Sequence, residues 1–207
     1  MTEKFSARAA MLGTVLFTLS FTLHGLLRPD YKPMQRYVSE LAIGPTGWIQ
    51  RISFMLLGVA VALFSRGLRA AFPMGKASRT APVIFMIIGV SYLLSGLFVT
   101  DPQAMFDNQQ TWHGVVHGIA GALVFSLSAA GCFVLWRRFR VDEKWKSLSL
   151  FSLIAGMVMT VSIGLMKYGQ LQTGWAQDWA GVIQRGCLIV SYAWIFMAAL
   201  KLEQLRD

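Results

Sequence analysis

Thr100-Asp101-Pro102, followed by Thr111-Trp112-His113-Gly114-Val115-Val116-His117, joins two long apolar runs and decides how the chain is read. An acid closes one run and two histidines open the next. His113 and His117 are four residues apart, so on a helix they share one face. The third of the three histidines, His24, also falls near the end of an apolar run. If these run ends lie on one side of a membrane, the three imidazoles can meet.

Composition supports the membrane premise. The chain has 207 residues, 55% hydrophobic and 14% charged, against about 25% charged in soluble domains. A helix needs about 20 apolar residues to cross a bilayer. Six runs qualify, at 8–27, 48–68, 81–100, 112–136, 147–168 and 180–200. In hydrocarbon each backbone polar group must bond within its own segment, so the runs are expected to be helices. The expected fold is all-α, one integral-membrane domain over 1–207, a bundle of six transmembrane helices.

The net charge of +9 raises nucleic acid as a partner, but the distribution points to topology instead. With the N-terminus in the cytoplasm, 13 of the 19 Lys and Arg fall inside, Arg206 among them. That asymmetry follows the positive-inside rule, so both termini are expected to be cytoplasmic. The expected location is a cell membrane crossed many times, a prokaryotic inner membrane, with lipid as partner and no nucleic acid. Lys4 and Arg8 precede the first run as in a signal sequence. The run is long and lacks a clear cleavage site, so an uncleaved signal anchor is expected. The two cysteines, Cys132 and Cys187, fall at different expected depths, which argues against a disulfide.

Prolines set the boundaries on the outer side. Pro29 and Pro33 cannot continue the first helix. The stretch Met34 to Leu41 reads as a short helix along the interface, broken by Gly44-Pro45-Thr46-Gly47. Trp48, Trp112, Trp175 and Trp179 sit at expected membrane boundaries. Small residues Gly89, Ser91, Ser95 and Gly96 in the third run, and Gly114, Gly118 and Gly121 in the fourth, permit close helix packing. Asp107, in the loop after Pro102, reads as solvated surface. Ile49-Gln50-Arg51 and Ile183-Gln184-Arg185 match, as two helices that start outside and carry an Arg there.

Ionisable residues inside spans tend to face the bundle interior and mark function. His24, Asp101, His113 and His117 share the outer part of the expected bundle, with Asp30, Tyr31, Glu40, Arg51, Lys167 and Arg185 at or just above it. Arg51 and Arg185 oppose the dipole at helix starts. They either hold a phosphate or carboxylate, with Tyr31 and Glu40 completing a substrate site, or snorkel and pair with Glu40 and Asp101. The histidines likewise have two readings. A catalytic zinc takes about three protein ligands and one water, which His24, His113 and His117 can supply. Asp101 then serves as base or orients a ligand, and Ser20 hydrogen-bonds the site. Otherwise the imidazoles bond Asp101, backbone or serine and pin helices together.

Two resemblances follow from these residues. Pro29-Asp30-Tyr31-x-Pro33, Val38-Ser39-Glu40-Leu41, Gly96-Leu97-Phe98-x-Thr100-Asp101-Pro102, Thr111-x-His113-Gly114-x-x-His117 and Gln184-Arg185 resemble the prokaryotic six-helix membrane family called domain of unknown function 998. That resemblance spans nearly the whole chain and implies no activity. Ser20-x3-His24, an Asp (Asp30 or Asp101) and His113-x3-His117 are similar in order to the ceramidase and progestin-receptor-like membrane hydrolases. That similarity implies His24, His113 and His117 as zinc ligands, with the Ser and Asp assisting amide or ester cleavage. The resulting expectation is a metal-dependent hydrolase of a lipid-like amide or ester. Its alternatives are a lipid-binding or sensing protein without metal, and an accessory subunit of a membrane complex.

Overall fold

A computed structural model describes residues 2–102, 110–171 and 174–205. Asp107 and Arg206 therefore lie outside the described residues. Every long element is helical: α1 (Thr2–Leu27), α2 (Gly47–Ala71), α3 (Thr80–Leu97), α4 (Trp112–Phe139), α5 (Ser149–Leu171), a single turn α6 (Trp175–Asp178) and α7 (Ala180–Gln204). Six of them are long and apolar enough to cross a membrane. Six alternating crossings bring the two termini to one end, the terminal end. The other end carries His24, His113 and His117, and we call it the histidine end.

The helices form a closed ring. Each packs on its chain neighbours, and α7 closes the circuit between α5 and α1. In this order α1 and α4 stand on opposite sides. Close approaches hold the circuit: Gly58 and Gly89 face each other where α2 crosses α3, and a Cβ on either would lie under 3 Å from the other's carbonyl oxygen. Phe17, Leu57, Phe64, Phe85, Ile88 and Trp194 fill the centre and are essentially buried. Trp194 stacks on Phe85 and donates its indole N–H to Ser152 Oγ at 2.9 Å. Leu12, Leu16, Leu19, Leu56, Ile119 and Val161 point outward, which is where a bilayer would take them. Cys132 and Cys187 are buried and free.

Two segments differ from the sequence expectation, both at the histidine end. α3 stops at Leu97, and 98–102 run on without helix. The residue before a proline avoids helical geometry, and side chains rather than further turns satisfy the freed carbonyls. Residues 34–42 do not form an α-helix. They form turns and a 3-10 turn, Val38–Ala42, in which Val38, Glu40, Leu41 and Ala42 are buried. This segment tucks against the histidine end. Val182 N donates to Met34 O at 3.1 Å, and Val38 N donates to Gln184 Oε1 at 2.7 Å.

Candidate functional site

The motif that opened the sequence reading is a helix cap. Thr111 precedes α4, and its Oγ1 accepts from Gly114 N at 3.1 Å. The same hydroxyl donates to Asp101 Oδ1 at 2.7 Å, and Thr111 N donates to Asp101 Oδ2 at 2.8 Å. The buried Asp101 carboxylate thus sits at the start of α4, where free N–H groups and the helix dipole favour an anion. Gly114 makes room for it, since a Cβ there would collide with the carboxylate.

Both histidines of α4 turn one nitrogen to the end of α3. His113 Nδ1 lies 2.9 Å from Val99 O, and His117 Nδ1 lies 2.8 Å from Phe98 O. A carbonyl only accepts, so Nδ1 carries the proton in each ring. His113 Nδ1 also lies 2.9 Å from Thr111 Oγ1. Nδ1 is thus engaged in both rings, and the His117 ring lines a cavity.

His24 is held elsewhere. Its Nε2 bonds Thr46 Oγ1 at 3.0 Å, ahead of α2, and its Nδ1 is buried without a protein partner. Ser20 Oγ bonds Ser53 Oγ at 2.6 Å. Among the described residues no three His, Cys, Asp or Glu side chains lie close enough together to hold a metal ion. His113 and His117 come together; His24 and Ser20 belong to the α1–α2 seam. The donor set expected for zinc is therefore not assembled as one group, and no chemical step is derived through a metal.

The two arginines also separate. Arg51 Nε donates to Gly96 O at 3.2 Å and caps the end of α3. Arg185 donates to Pro33 O, to Arg36 O at 3.0 Å, to Gly181 O at 3.0 Å and to Tyr31 Oη. Tyr31 Oη in turn bonds Tyr37 O at 2.9 Å. Burial pushes the Tyr31 phenol up, against the pull of Arg185, so it stays a neutral donor. Glu40 Oε1 accepts from Tyr37 N at 3.1 Å inside the 3-10 turn. Arg185 and Tyr31 thus form the clamp that seats residues 31–40 on α7, and Glu40 braces the turn beside it.

The space left inside the ring is a cavity of about 590 Å³ at the histidine end, within the range of about 300–1,000 Å³ usual for ligand sites. Phe54, Leu188, Ile163, Met166 and Phe125 give it apolar walls, and Tyr92, Ser95, His117, Gln184 and Lys167 give it polar points. Tyr92 Oη bonds Tyr192 Oη at 3.0 Å. Gln184 uses Oε1 on Val38 N, so its amide N–H2 is the end left for the cavity. Of these, the sequence reading gave no functional role to Tyr92, Ser95 or Gln184. Gln184 neighbours Arg185, whose charge is the stronger signal in the sequence, and Ser95 reads as a packing residue. Tyr92 carried no local signal.

A family model described as "Protein of unknown function (DUF998)" matches residues 11–201, and the chain belongs to that family. Comparison with curated proteins returns no match, and comparison with solved structures returns none.

Proposed function

We propose that this membrane protein binds a lipid in the cavity at the histidine end. One observation carries the reading: a sizeable cavity with apolar walls and a few convergent polar groups, set inside a ring of membrane-length helices. Such a space suits an amphipathic guest. Tyr92, Ser95, His117 and Gln184 supply donors and acceptors for a head group or linkage. Phe125, Ile163 and Met166 supply a surface for a chain. Arg185 spends both terminal nitrogens inside the protein and Arg51 gives its Nε to the end of α3, which supports reading them as structure.

Native mass spectrometry of the protein released from mild detergent tests this. A bound lipid is expected at one per chain. Gly121→Trp should abolish it while the protein stays folded, because a side chain at Gly121 meets no neighbouring atom within 4 Å and grows into the cavity lining. A lipid-free protein, or lipid retained by Gly121→Trp, contradicts the proposal.

A second reading keeps a metal at His113 and His117 alone. It is favoured by the Nδ1–H donation of both rings to carbonyls, the arrangement that orients Nε2 in metal sites. Metal analysis of the purified protein checks it: zinc lost on His113→Gln and on His117→Gln supports it, and metal-free protein whose unfolding a chelator leaves unchanged rejects it.

A further inference from the structure

The cavity has a side door, and its charge has a sign. On α4 the residues Val115, Ile119, Ala122 and Ser126 follow one stripe of three- and four-residue steps, and all four line the cavity. The same stripe continues to Phe133. There it meets α5 tightly: a Cβ on Gly156 would lie 2.9 Å from the Phe133 ring. On α5 the stripe through Gly156 continues to Ile163 and Lys167, which line the cavity too. So α4 and α5 touch toward the terminal end and part toward the histidine end, with the cavity between them. Val115 and Ile119 are 43% and 59% exposed, so the space reaches the bundle surface, the side a bilayer would occupy.

Lys167 stands on the α5 edge of this opening. Among the described residues of the lining it is the only one with a permanent charge. Among the described residues no carboxylate lies in that lining: Asp101 caps α4, and Glu40 lies in the 3-10 turn. Gln184, 8% exposed, turns its amide toward the same space. We infer that the opening between α4 and α5 admits an anionic phospholipid, whose phosphate meets Lys167 while its chain lies along the Ile119–Ile163 walls. This rests on the lipid-binding reading and adds entry route and head-group charge. Lys167 is exposed at that edge, where its ammonium can form a charge-assisted contact with a phosphate at the mouth of the opening.

The test uses the full-length protein in nanodiscs or detergent, titrated with phosphatidylglycerol and with phosphatidylethanolamine of the same chains. Both lipids carry a phosphate, but the ammonium of phosphatidylethanolamine opposes Lys167, so phosphatidylglycerol should bind about tenfold more tightly. Lys167→Gln should remove that preference, and Lys167→Arg should keep most of it. Lipid that binds with equal affinity for both head groups, or a preference that survives Lys167→Gln, overturns the inference and leaves lipid binding standing. No binding of either lipid overturns both. Displacement of bound lipid by inorganic phosphate would place a free anion in the cleft and overturn the lipid assignment.

Discussion

At residue scale the best-determined contact is the Asp101 cap. Asp101→Asn replaces a carboxylate oxygen facing Thr111 with an amide that repels one of its donors. The expected loss is about 1–3 kcal/mol, read as a lower midpoint of thermal unfolding in detergent. Gly114→Ala should cost a similar amount, because its methyl collides with Asp101 and overpacking costs about 1–3 kcal/mol. Unchanged unfolding in both would contradict the cap. The cap was not legible in the sequence, where Asp101 read as a base, a ligand orienter or a partner of a histidine or arginine; the i,i+4 histidine pair was, because spacing along the chain sets it. His24 was not. Its partner, Thr46, depends on which helix stands beside α1, and spacing in the sequence says nothing of that.

At element scale the arginines show how far a residue type alone carries. A cation at a helix start opposes the dipole, so Arg51 and Arg185 read either as anion ligands or as snorkelling cations paired with Glu40 and Asp101. The structure supplies the missing term. Arg185 brings Nη1 to the carbonyls of Pro33, Arg36 and Gly181 and Nη2 to Tyr31 Oη, two nitrogens that the single ammonium of a lysine does not replace. Arg185→Lys should therefore loosen residues 31–40, seen as faster proteolysis or faster amide exchange of that segment with the helices still protected. Unaltered exchange would contradict the clamp. The α4–α5 pair gives a second element-scale prediction. Gly156→Leu, pressed on Phe133, should destabilise by about 1–3 kcal/mol. Gly121→Leu, facing open space, should leave the unfolding midpoint within experimental scatter. Equal effects would contradict helices that meet at one end and part at the other.

At the scale of the whole molecule, hydropathy made the six crossings readable because a bilayer imposes one length on every span. Ring closure was not readable: which helix faces which depends on packing between segments far apart in sequence. That closure sets α1 across from α4 and explains why three histidines at one depth need not meet. The basic residues still argue orientation. Arg66, Arg69, Lys76, Arg137 and Lys146 cluster at the terminal end, so reporter fusions at the C-terminus should be active only for a cytoplasmic reporter. Activity of an extracytoplasmic reporter there would reverse the assignment.

The lipid cavity is the central claim, and an experimental structure of the protein in a nanodisc tests it most directly. The account predicts elongated density entering between α4 and α5 and ending beside Lys167 and Gln184. Helices α4 and α5 packed together along their whole length, with that space closed, would contradict it.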